Sequence, residues 1–133
     1  MRRLLTIAVI SLSVFICAFA PAAEDENPFR KLVGTYKGEV FNGDDLDDVV
    51  TTFKIDEIGR LGGEYTVDEE SGVYSGVLSD VIFEDAHTVS MEWTDKFGEG
   101  FAEMEFSDDF RSFTGQWTDK DGSRPLPWNG KKQ

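Results

Sequence analysis

Apolar side chains recur at every second position in one run after another from Val33 onward, and no stretch long enough for a buried helix repeats at the helical period of about 3.6 residues. A period of two places one face of a strand in a core and the other in water. Tyr36, Gly38 and Val40 alternate with Thr35, Lys37 and Glu39, and Val49, Thr51, Phe53 and Ile55 alternate with Val50, Thr52, Lys54 and Asp56. Leu61, Gly63, Tyr65 and Val67 repeat the pattern, and Tyr74, Gly76 and Leu78 open a strand that runs on toward Phe83. Val89, Met91 and Trp93 follow, then Ala102, Met104 and Phe106, then Phe113, Gly115 and Trp117, with a last short strand around Leu126 to Trp128.

The breaks between runs are short and rich in turn formers, among them Asn42-Gly43-Asp44-Asp45, Ile58-Gly59-Arg60, Glu70-Ser71-Gly72, Lys96-Phe97-Gly98, Ser107-Asp108-Asp109 and Asp121-Gly122-Ser123. Strands joined so tightly must be antiparallel neighbours, because parallel pairing needs a long crossover. The expected fold is therefore all-β, an up-and-down meander of about seven or eight strands. It buries its apolar faces by closing into a small barrel or, as the alternative, by folding into a two-layer β-sandwich. On either arrangement Trp93 and Trp117 belong to the core, and truncating either to Ala is expected to cost about 3–5 kcal/mol.

Ahead of the strands, Met1-Arg2-Arg3, the apolar run from Leu4 to Ala20 and the small residues around Ala22 have the layout of a secretory signal peptide. The run is shorter than the roughly 20 residues of a spanning helix. Residues 1–23 are read as leader, 24–32 as an acidic lead-in, 33–130 as a single β-domain and 131–133 as a polar tail. Sec export to the periplasm or the medium, with no membrane span in the mature chain, is the expectation. The 133-residue chain carries 13 Lys and Arg against 26 Asp and Glu, a formal charge of −13, and loss of Arg2 and Arg3 with the leader makes it −15. Cys17, the only cysteine, leaves as well. A disulfide scaffold, a thiol enzyme and a Cys-ligated metal are thereby excluded from the mature chain, and so acidic a domain is not expected to bind nucleic acid.

Three segments share the pattern aromatic-x-Gly-x-apolar: Tyr36 to Val40, Tyr74 to Leu78 and Phe113 to Trp117, spaced by 38 and 39 residues. Glycine beside an aromatic lets a neighbouring ring lie over the strand or lets the sheet bend. The segment from Met104 to Gly130 also resembles a C-terminal pattern of small exported bacterial β-meander proteins of unknown function. Its elements here are Ser107-Asp108-Asp109, then Ser112, Phe113, Gly115 and Trp117, and finally Trp128 and Gly130. Gly34-Thr35-Tyr36 looks like the Gly-x-Trp opening of lipocalin-like barrels, with Tyr36 in the place of Trp. The resemblance implies an antiparallel meander or lipocalin-like barrel and carries over no catalytic residue.

Two surfaces are candidates for function. The inward aromatic face, Tyr36, Phe53, Tyr65, Tyr74, Trp93, Phe113 and Trp117, with Phe106 among them, suits a small apolar or aromatic ligand held inside a barrel. In a meander, alternate turns share one end, which gathers Asp44, Asp45, Asp47, Asp48, Asp68, Glu69, Glu70, Asp95, Asp119 and Asp121 against Lys96, Lys120 and Arg124. Such an acidic rim suits a basic protein surface, as in an inhibitor or envelope-associated module whose core is filled. Calcium at that rim is the only cofactor the residues suggest, although no loop has the EF-hand order. A non-catalytic monomer is expected, since His87 is the only histidine and lies in a turn with no nucleophile motif near it.

Overall fold

A computed structural model describes residues 28–133. The leader and residues 24–27 of the acidic lead-in lie outside the described residues, and the rest of the lead-in is helical. A short helix, α1 (Pro28–Leu32), precedes eight strands: β1 (Gly34–Phe41), β2 (Leu46–Ile55), β3 (Leu61–Glu69), β4 (Gly72–Phe83), β5 (Thr88–Asp95), β6 (Gly98–Phe106), β7 (Ser112–Asp119) and β8 (Leu126–Lys132). Each strand pairs antiparallel with the next, and β8 returns to pair with β1, so the sheet closes on itself. The fold is a small lipocalin-like all-β barrel. The two-layer sandwich is excluded by this closure, which leaves no edge strand among the described residues. Among the described residues, no helix is long and apolar enough to cross a membrane.

The alternation read from the sequence sets the inward face. On β6, Gly100, Ala102, Met104 and Phe106 are buried between exposed neighbours, and on β2 Asp47, Val49, Thr51 and Phe53 are buried between exposed or half-buried ones. β4 changes phase partway along. Between its pairings with Glu92 and Ser90 of β5 it carries one extra residue, and Asp80 there has a φ of 50°. This bulge lets Leu78 face inward before it and Val81 and Phe83 pack on the core after it. The last strand is longer than the sequence suggested, running through Lys131 and Lys132 to complete the β1–β8 seam.

One end of the barrel is filled with rings. Tyr36, Phe53, Phe106, Phe110 and Phe113 are all buried, and Phe106 lies 5.3–6.0 Å, centroid to centroid, from each of the other four. α1 caps them with the fully buried Leu32, and the Tyr36 hydroxyl hydrogen lies between the carbonyl oxygens of Leu32 (2.9 Å) and Phe110 (3.0 Å). The β6–β7 turn supplies Phe110 through a left-handed residue, φ 55°, which turns the ring back into the barrel to stack on Phe106. A bulky side chain at positive φ is strained by about 1–3 kcal/mol. The turn holds it there: the Phe110 amide donates to the Ser107 carbonyl, and the Ser107 hydroxyl accepts from the amides of Arg111 and Ser112. Lys132 closes this end, its ammonium donating to the Lys31 carbonyl and lying 5.6 Å above the centre of the Tyr36 ring.

Candidate functional site

An up-and-down barrel brings the β1–β2, β3–β4, β5–β6 and β7–β8 turns to the end opposite the ring-filled one. There the interior is open. A cavity of about 490 Å³ extends inward from that mouth, within the size range of small-molecule sites. Its walls are Val40, Val67, Tyr65, Tyr74, Trp93, Phe97, Trp117 and Trp128, and its polar lining is Asn42, Asp44, Asp45, Glu69, Asp95 and Asp119. Among the described residues, no lysine or arginine lines it. The aromatic interior and the acidic rim, two separate surfaces on the sequence reading, are the inside and the lip of one cup.

The aromatic walls are braced from behind. Each indole N–H already donates: Trp93 to the Thr118 carbonyl (3.0 Å), Trp117 to the Phe41 carbonyl (3.0 Å) and Trp128 to the Thr51 hydroxyl (3.1 Å). Trp93 and Trp117 meet edge to face at 5.5 Å, and Tyr65 and Trp128 at 5.0 Å, an arrangement that aromatic quadrupoles favour. Two glycines make room for this packing. A Cβ on Gly76 would fall 2.1 Å from the Tyr65 ring, and one on Gly100 would fall 2.0 Å from the Thr118 carbonyl that Trp93 uses. Gly76 is the middle residue of the second aromatic-x-Gly-x-apolar segment, and there the role expected of the motif, a ring lying over the strand, is observed. At Gly38 and Gly115 the close neighbours are chiefly backbone atoms of adjoining strands.

Polar groups at the lip are tied together as well. The Tyr65 hydroxyl donates to Asp95 (2.7 Å), whose other oxygen accepts the Phe97 amide (2.8 Å). Asn42 donates to the buried Asp47 (2.7 Å) while its side-chain oxygen accepts the amides of Asp44 and Asp45. Among the described residues, no three His, Cys, Asp or Glu side chains form a group that could hold a metal ion.

Burial and the neighbouring carboxylates shift the tyrosines. Tyr74 is pushed up to about 12, first by burial and then by Asp95, Glu69 and Asp47. Tyr65 is raised well above the ordinary tyrosine range by burial and by its hydrogen bond to Asp95. In the ring-filled half, burial pushes Tyr36 up to about 12, with the Arg111 charge opposing. These are the only tyrosines in the chain. A hydroxyl whose folded value lies above its unfolded value of about 10 stabilises the fold fully below pH 10 and loses that contribution as pH rises through about 12. Tyrosinate absorbance of the folded protein should therefore be nearly absent at about pH 10, where a free tyrosine is half ionised, with unfolding between about pH 10 and 12. Half-maximal absorbance at about pH 10 with an intact fold would contradict these assignments.

The predicted ligand residues divide between the two halves. Tyr65, Tyr74, Trp93 and Trp117 line the cavity, whereas Tyr36 and Phe53 are fully packed with Phe113 in the closed half and do not reach it. Of the predicted rim, Asp44, Asp45, Glu69 and Asp119 line the mouth together with Asp95. Asp47 is buried against Asn42; Asp48 and Asp68 are exposed and directly opposite one another on neighbouring strands; Glu70 and Asp121 are exposed in turns. Trp128 and Phe97 also line the cavity, and the sequence reading does not name them as ligand residues. Alternation across β8 is the signal for Trp128, but Pro125 and Pro127 obscure it. Phe97 carries no such signal, because it sits in a turn and joins the wall through its edge contact with Tyr74 at 5.1 Å. His87 lies at the other end of the barrel, with Nε2 3.5 Å from Asp108 and its ring beside Phe110. No family model matches the sequence, and no curated protein is significantly similar to it.

Proposed function

We propose that this protein is an exported, non-catalytic barrel domain that holds a small aromatic or apolar ligand in the open half of its interior. The observation that carries the reading is the cavity wall: all three tryptophans of the chain face one cavity, and each N–H is already satisfied elsewhere. What the walls offer a guest is therefore ring surface, held in place before the guest arrives. Export rests on the leader at residues 1–23. A module that works only through its acidic surface needs no such cavity, and the half-open interior favours ligand binding over that reading.

The same three residues make the test internal to the protein. Tryptophan emission should change saturably with at least one member of a panel of fatty acids, sterols and small non-fluorescent aromatic compounds. The response should be strongly weakened in Trp93→Ala. Emission that stays unchanged across the whole panel would contradict the proposal.

A further inference from the structure

The lining of the cup combines two features that favour one kind of guest. The interior is walled by aromatic faces, and the charged residues that line it, Asp44, Asp45, Glu69, Asp95 and Asp119, are all carboxylates, with the Lys96 ammonium the one cation the described residues place against its rings. A ring face and a carboxylate both attract positive charge, the ring through its quadrupole and the acid through its formal charge. An anionic guest would have to pass the carboxylates on entry, and a neutral one would leave them uncompensated.

The chain also displays the geometry such a guest would use. The ammonium of Lys96, in the β5–β6 turn, lies 4.9 Å from the ring centre of Phe97 and 5.2 Å from that of Tyr74, and both rings line the mouth. These distances are within the roughly 6 Å limit of cation–π attraction. Lys120, a second cation near this end, is instead engaged by Glu99. We propose, building on the ligand-binding reading above, that the cup selects an organic ammonium compound. The aromatic or apolar body of the guest lies among Trp93, Trp117 and Trp128, and its cationic head takes the place at Tyr74 and Phe97 where the Lys96 ammonium lies. Lys96 is then an internal competitor that must swing away for the guest to enter.

Isothermal titration of the mature protein with phenethylamine, phenethyl alcohol and phenylacetate separates the two claims, because the three share a ring and differ in charge. The amine should bind at least about tenfold more tightly than the alcohol and the acid most weakly, with the advantage of the amine shrinking in about 0.5 M sodium chloride. Lys96→Met, which keeps an apolar stem and removes the competing ammonium, should tighten the amine by roughly threefold or more and leave the alcohol unchanged. Equal binding of amine and alcohol overturns the cation preference while leaving ligand binding intact. An amine affinity unmoved by Lys96→Met overturns the competitor role. No heat from any of the three overturns the cation preference, and the ligand-binding reading falls with it only if tryptophan emission is also unchanged across the whole panel of fatty acids, sterols and aromatic compounds.

Discussion

Replacing Phe106 with alanine should destabilise the domain by about 3–5 kcal/mol, the range for a large buried aromatic. The ring is 4% exposed and packs against Tyr36, Phe53, Phe110 and Phe113, so its removal opens a void that no neighbour can enter without leaving another ring unsupported. Domains of this size are stable by only about 5–15 kcal/mol, so the variant should melt well over about 10 °C lower. Phe106→Leu, which keeps much of the volume, should cost about 1–2 kcal/mol and remain measurable where the alanine variant does not fold. Trp117 provides the contrast. It was expected from the sequence to match any core aromatic, yet it is only half-buried and borders space that is already open. Trp117→Ala should therefore cost about 1–2 kcal/mol, since little new cavity is created. Denaturant melts giving Trp117→Ala a loss equal to or larger than that of Phe106→Ala would mean that the filled and open halves have been assigned to the wrong ends.

A second large effect is expected from adding one methyl group. In Gly76→Ala the new Cβ would lie 2.1–2.2 Å from the Tyr65 Cζ and hydroxyl oxygen, so the ring must move. Tyr65 is held by its bond to Asp95 and by its edge contact with Trp128, and both are lost or weakened when it does. Overpacking of about 1–3 kcal/mol adds to the loss of a hydrogen bond to a charged group, and the total should be roughly 2–4 kcal/mol. The displaced ring has the cavity to move into, so ligand affinity should fall along with stability. A double-mutant cycle isolates the cause: in a Tyr65→Ala background, Gly76→Ala should be neutral or slightly stabilising, because alanine suits a strand better than glycine. A penalty of similar size in both backgrounds would show that the glycine is required for some reason other than Tyr65.

The barrel was legible in the sequence because the feature that builds it, alternation broken by short turns, is local. Val49 to Ile55 or Ala102 to Phe106 can be assigned a face with no knowledge of the rest of the chain. The grouping of turns at one end was legible for a related reason, since consecutive antiparallel strands leave no other choice. What stayed hidden depends on exceptions to alternation. Asp80 resets the phase of β4, and a turn residue, Phe110, enters the core only because its backbone is left-handed. Leu32 reaches the core from a helix of five residues, too short to display a period. The division of the aromatic face into a packed half and an open half was hidden for another reason. Tyr36 and Tyr74 occupy the same place in the same motif, and what separates them is the plug formed by α1 and the β6–β7 turn, which closes one end alone.

The open half of this barrel is proposed as a binding cup, and the other half is solid core. The most direct test is the amide and indole spectrum of the isotope-labelled protein titrated with phenethylamine. Three indole N–H signals are expected, one each for Trp93, Trp117 and Trp128, and all three should shift saturably at a single stoichiometric site while the amides of Tyr36, Phe106 and Phe113 stay in place. Indole signals that do not move, or shifts that fall on the ring-filled end or the outer face of the sheet, would contradict it.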